Sequence, residues 1–142
     1  MEVPEGYKEM MIMVFSVHAK KPADVRDKYE GYLNSLLTDQ ERQSEYSTVR
    51  LQAFQMADAN NDGVLDEAEW GTYCERMASW QDEMFGGHNE YSQEQIKHIF
   101  DQISKKSGSI TKEAFIHNMQ LEGYVFGMMV EDGTFKKLEE SA

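Results

Sequence analysis

One stretch constrains this chain more than any other: Asp58-Ala-Asn-Asn-Asp-Gly-Val-Leu-Asp-Glu-Ala-Glu69. Oxygen-bearing side chains fall on Asp58, Asn60, Asp62 and Asp66, and the stretch closes on Glu69. Gly63 sits in the middle, where a chain wrapping a cation must turn sharply through positive φ. A hard divalent cation needs several oxygens at close range, and a tightly coiled loop with alternate residues pointing inward supplies them. An acidic surface turn would account for the carboxylates. It would not account for a full ligand set together with the central glycine and the apolar Leu65.

The spacing fills the first, third, fifth, seventh, ninth and twelfth positions of an EF-hand calcium loop, with glycine at the sixth. The chain thus resembles the calmodulin-like EF-hand proteins. That resemblance implies calcium as the ion, held by the side chains of Asp58, Asn60, Asp62 and Glu69. Val64 would contribute its backbone carbonyl, and Asp66 would bind directly or through a water. Glu69 offers two oxygens at once, which suits the larger shell of calcium over that of magnesium. The pair Glu69-Trp70 is similar to the sarcoplasmic calcium-binding and photoprotein branch of the superfamily.

A second loop, Ser104-Lys-Lys-Ser-Gly-Ser-Ile-Thr-Lys-Glu-Ala-Phe115, keeps the outline of the first without its chemistry. Aligned on Gly108, its ligand positions fall on Ile103, Lys105, Ser107 and Ala114, so nothing there holds a cation. One calcium ion is expected in total. EF-hands pair through a short ribbon between their loops, which implies that Leu65 meets Ile110, both suited to a buried strand pair. The second loop would then brace the first without taking an ion.

Helical stripes organise the rest. A helix is expected over residues 4–19, with Pro4 in its first turn and Tyr7, Met10, Met11, Val14 and Phe15 on its apolar side. Another begins at Pro22, with Val25, Tyr29, Leu33, Leu36 and Leu37 repeating along it. The connection from His18 to Val25 has neither acidic ligands nor a central glycine, so this pair is at most a vestigial EF-hand, an arrangement similar to that of parvalbumins. Thr38 and Glu41 read as a capping box opening the helix into the loop, with Tyr46, Val49, Ala53, Phe54 and Ala57 inward. The exiting helix carries Trp70, Tyr73, Met77, Trp80, Met84 and Phe85. Gly86-Gly87-His88-Asn89 reads as a turn, and Ser92 with Gln95 as another cap. A last helix over 112–122 turns Phe115, Ile116 and Met119 inward. An apolar tail, Gly123 to Val130, follows and is expected to pack on the molecule itself, since exposed it would form a liable patch; the alternative is a partner-binding segment exposed when calcium binds.

The fold class expected is all-α: a paired EF-hand lobe with a two-stranded ribbon over 38–122, an N-terminal helix pair over 1–37, and a C-terminal tail over 123–142. The formal charge is −12, from 26 acidic against 14 basic residues. That argues against nucleic acid as a partner and favours basic ones. The single cysteine, Cys74, suits a reducing compartment, and the run Met10–Phe15 is too short to span a bilayer. Met1-Glu2 provides no myristoylation site, so a soluble cytoplasmic protein is expected. His18, His88, His98 and His117 are scattered without catalytic or zinc-like spacing and read as surface or packing residues, and no nucleophile motif accompanies them. Enzymatic function is not expected. The reading that remains is a calcium-binding regulatory protein whose helices move to engage a protein partner, through a basic amphipathic helix or within a larger assembly. Met77, Met84 and Met119 would line the groove. A calcium buffer and a constitutive light-chain-like subunit are the alternatives.

Overall fold

The computed structural model describes residues 1–142 and contains seven helices and one small sheet. In chain order these are α1 (Tyr7–Ala19), α2 (Ala23–Ser35), α3 (Gln40–Ala57), β1 (Val64–Leu65), α4 (Glu67–Phe85), α5 (Gln93–Ser104), β2 (Ile110–Thr111), α6 (Lys112–Glu131) and α7 (Thr134–Ser141). The strands pair antiparallel, with Leu65 opposite Ile110 and Val64 opposite Thr111. Leu65 and Ile110 are fully buried, so the ribbon is both a hydrogen-bonded ladder and part of the core. The fold is therefore all-α with a loop-to-loop ribbon, as the sequence predicts.

Two apolar cores share the molecule. One surrounds the ribbon and takes Phe54 from α3, Trp70 and Tyr73 from α4, Phe100 and Ile103 from α5, and Phe115 from α6. The other lies beneath α1 and takes Tyr7, Met10, Met11 and Phe15, with Leu121, Val125, Phe126 and Met129 from α6 and Phe135 from α7. An aromatic belt joins α2 to the first group: Tyr32 meets Tyr46, Trp80 and Phe85 edge-on, with ring centroids 5.4–5.7 Å apart.

Several boundaries differ from the sequence reading, each for a physical reason. α1 starts at Tyr7, not Pro4, because Gly6 takes the left-handed conformation (φ 81°) and residues 4–7 close a turn instead. The cap of α3 is Asp39, whose carboxylate accepts the Arg42 N–H at 3.1 Å, so the box expected from Thr38 and Glu41 does not form. Ser92 and Gln95 do form theirs. The largest difference is α6. Its expected end at 122 is passed, and residues 123–130 are its second half. Gly123 and Gly127 each cost a helix roughly 1 kcal/mol relative to alanine. Burial of Leu121, Val125, Phe126 and Met129 against α1 and α7 outweighs that cost. The expected apolar tail is thus helix, packed by one face, while Tyr124, Met128 and Val130 on the other face stay exposed. Ile116, Met84 and Leu37, expected inward, are also exposed, whereas Met77 and Met119 are half-buried.

His18 packs inside the N-terminal pair, 1% exposed, against the Tyr29 ring at 4.5 Å and with Nε2 3.5 Å from the Glu30 carboxylate. Burial pushes the imidazole down to about 4. Burial, and then the neighbouring Glu139, push the Glu30 carboxyl up to about 7. Near pH 6 both groups are therefore neutral and do not form an ion pair. Unfolded, His18 would gain its proton near its ordinary 6.5, so folding loses the contribution of neutral His18 as pH falls from 6.5 towards 4. Glu30 opposes this, because its buried acid form becomes less costly over the same interval. Replacing His18 with Gln isolates the first effect. Urea unfolding between about pH 7 and pH 5 should show the wild type losing more stability than the variant.

Candidate metal centre

α3 ends at Ala57, and the chain coils at once around the Asp58 side chain. Its carboxylate accepts the N–H groups of Asp62 at 3.1 Å and Gly63 at 2.8 Å. Two left-handed residues make that coil possible, Asn61 at φ 55° and Gly63 at φ 82°. Gly63 is the position where any side chain would be strained. Asp62 turns inward in the same way and accepts the Val64 N–H at 3.1 Å. That bond, ahead of contributions from Asp58 and Asn60, holds its carboxyl below the usual range.

The loop closes on the first turn of α4. Asp66 caps the helix by accepting the Glu69 N–H at 2.8 Å, and Glu69 returns to accept the Asp66 N–H at 3.0 Å, a complete capping box. The second Glu69 oxygen crosses the loop to accept the Ala59 N–H at 3.0 Å. Glu69 therefore ties the start of the loop to the start of α4.

Asp58, Asp62 and Glu69 each present an oxygen within 4.8 Å of the others. Calcium–oxygen bonds of about 2.3–2.6 Å place opposite ligands about 5 Å apart, so the trio fits that ion. Three converging carboxylates repel one another, and a divalent cation relieves this. Asn60 lies exposed in the loop, next to Asp62. Val64 lies on β1, held by its pairing with Thr111. Asp66 is outside the converged trio and serves as the helix cap. A ninth-position residue so engaged suits a ligand acting through water.

The second loop has the same backbone outline and a different content. Gly108 is left-handed (φ 90°), as are Lys105 and Lys106. Ile103 is buried, the Ser107 hydroxyl donates to the Ser109 carbonyl, and Thr111 caps α6. The trio at Asp58, Asp62 and Glu69 is the one converged group of metal-ligating side chains in the chain. The histidines form no metal-ligating group: His88 pairs with Asp82 at 2.8 Å, and His18 faces Glu30 in the N-terminal pair. Burial pushes the Cys74 thiol up to about 12, the state of a packing residue and not of a nucleophile.

Next to the loop runs a polar chain that the sequence reading missed. Tyr7 of α1 donates to the Asn118 side chain at 2.7 Å, and Asn118 donates to Glu122 at 3.2 Å. Glu122 accepts from both terminal guanidinium nitrogens of Arg50, and Arg50 Nε donates to the Tyr73 hydroxyl at 2.9 Å. The chain links α1, α6, α3 and α4, and ends one helical turn after Glu69. The signal was present: Arg50 lies four residues after Tyr46 and four before Phe54, on the stripe that enters the core.

Residues 51–74 match the family model described as EF hand, which covers the second half of the entering helix, the loop and the start of the exiting helix. That segment is an EF hand, and the acidic loop fits calcium binding. No curated protein and no solved structure significantly matches the chain.

Arg50 is 5% exposed and Glu122 half-buried, so removing one partner strands a poorly solvated charge. Arg50→Met should cost about 3–5 kcal/mol in denaturant unfolding. Adding Glu122→Gln to it should recover much of that loss, because the stranded carboxylate is gone.

Proposed function

We propose that this EF-hand protein binds one calcium ion at Asp58–Glu69 and is regulatory, passing the binding event through helix movement to a protein partner. The observation that carries this reading is the double role of Glu69. Its carboxylate is the converged ligand of the loop and also half of the capping box of α4. An ion drawing both Glu69 oxygens competes with the Ala59 and Asp66 N–H groups that now hold them. The first turn of α4 then shifts, and Tyr73 with it. Tyr73 ends the hydrogen-bond chain through Arg50, Glu122 and Asn118 to Tyr7, so the shift reaches α1.

The second loop supports a count of one. It supplies a strand and no ligand. The charge of −12 favours a basic partner, and Ile116, Tyr124 and Met128 on the open face of α6 offer it apolar contact. Together these suit a basic amphipathic helix. No helix is long and apolar enough to cross a membrane. The single cysteine suits a cytoplasmic setting.

Calorimetric titration should return one calcium per chain, and Glu69→Gln should weaken it by at least about tenfold, roughly 1.4 kcal/mol. Trp70 fluorescence, next to the altered residue, reports the same event. Near-normal binding in the variant would refute the ligand set, and a second ion would refute the reading of residues 103–114. Calcium should also raise affinity for a model basic amphipathic peptide and change the radius of gyration in solution. Calcium bound with neither response leaves a buffer. Peptide bound equally without calcium leaves a constitutive subunit.

A further inference from the structure

The two cores do not merge. Between them lies a cavity of about 1040 Å³, partly open to solvent and lined by every helix except α7. Of its 35 lining residues 22 are hydrophobic, so its walls favour an apolar occupant. Small-molecule sites run to roughly 300–1,000 Å³, which places this cavity at the upper end of that class.

Its polar groups divide between an exposed rim, with Glu75, Glu90 and Gln93, and an inner set. Arg50 and Glu122 lie in the wall and neutralise each other. Burial keeps the Tyr29, Tyr46 and Tyr73 hydroxyls protonated. A charged occupant would find no unpaired counter-charge in this inner set, since the unpaired Glu75 carboxylate lies on the exposed rim. One donor is unused: Trp70 lines the cavity, is 3% exposed, and its indole N–H has no acceptor. A buried donor without a partner is costly and calls for an acceptor. Two glycines mark where the space is open. Gly71 and Gly123 line the cavity, and a Cβ built on either meets nothing within 4 Å.

We propose that this cavity binds a neutral, largely apolar small molecule carrying a carbonyl or ether oxygen that accepts from the Trp70 indole N–H. The site is distinct from the metal loop and requires none of its ligands. The apolar body lies between the Met10–Phe15 face of α1 and the Met77 and Met119 side chains.

The test uses the calcium-saturated full chain and Nile red, a neutral apolar dye with a carbonyl acceptor. The expected result is saturable binding of one dye per chain with blue-shifted emission. Dye addition should shift the methyl resonances of the cavity residues Met77 and Met119 and leave those of the exposed Met1 and Met56 in place. Gly71→Leu and Gly123→Leu place a side chain in open space on a helix, so both should unfold cooperatively at or above the wild-type temperature while losing the dye. Trp70→Phe should weaken it about tenfold or less, the effect of one hydrogen bond. The sulfonated dye anilinonaphthalene sulfonate should bind more weakly than Nile red. Dye binding unchanged in both folded leucine variants, or methyl shifts confined to exposed methionines, would overturn the proposal. Since no variant touches Asp58, Asp62 or Glu69, failure here leaves the calcium reading intact.

Discussion

The interaction on which the rest of this structure depends is the buried pair between Arg50 and Glu122. Arg50 belongs to the helix that enters the calcium loop, and Glu122 to the helix that leaves the loop without ligands. Their contact closes the lobe on the side away from the ribbon, and extensions at both ends carry it outward, to Tyr73 on α4 and through Asn118 to Tyr7 on α1. Such a pair stabilises little on balance, since desolvation offsets most of its attraction. Its value is geometric. A planar guanidinium that meets a carboxylate with two nitrogens and a phenol with a third holds three helices in one arrangement.

The ribbon is the matching constraint at the other end of the lobe. Leu65 and Ile110 are fully buried and opposite one another, so the loops cannot shift register without exposing both. A loop that has lost its ligands still fixes the position of the one that keeps them. This separates two properties that EF-hand pairs usually combine. The backbone outline depends on Gly108 and Ile110, while ion binding depends on side chains that the second loop has replaced with Ile103, Lys105 and Ala114.

Those residues explain what could be read in advance. The coil at Asp58–Glu69 was legible because its geometry is local: each of its turns is set by distance in sequence from Gly63. The Leu65–Ile110 pairing was legible because two loops of the same outline present the same position to each other. Boundaries set by tertiary contact were not. Gly123 reads as the end of a helix, and the packing of Val125, Phe126 and Met129 on α1 carries α6 through it and through Gly127. Asp39 displaced Thr38 as a cap because two adjacent residues had equal local claims and the path of the turn after α2 decided between them. Arg50 and Glu122 are 72 positions apart, and no local pattern joins them.

The polar chain also bears on why the two cores stay apart. Left empty and sealed, an apolar void the size of the one between them would cost on the order of 25 kcal/mol, at roughly 24 cal/mol per Å³. A domain is held folded by only about 5–15 kcal/mol, so the space must be occupied by solvent or by a ligand. What prevents the walls from collapsing inward is the frame around them. Glu122, Arg50 and Tyr73 line the wall as one hydrogen-bonded run, anchored behind it through Asn118 to Tyr7, and closing the space would break the run at some member and leave a buried donor or acceptor unpaired. Tyr32, Tyr46, Trp80 and Phe85 hold α2 against α3 and α4 through edge-on contacts that do not slide easily. The interior is therefore held open by groups already in contact. Because Trp70 lines that interior one residue after Glu69, a change at the loop's closing ligand reaches the cavity wall by the shortest covalent path available.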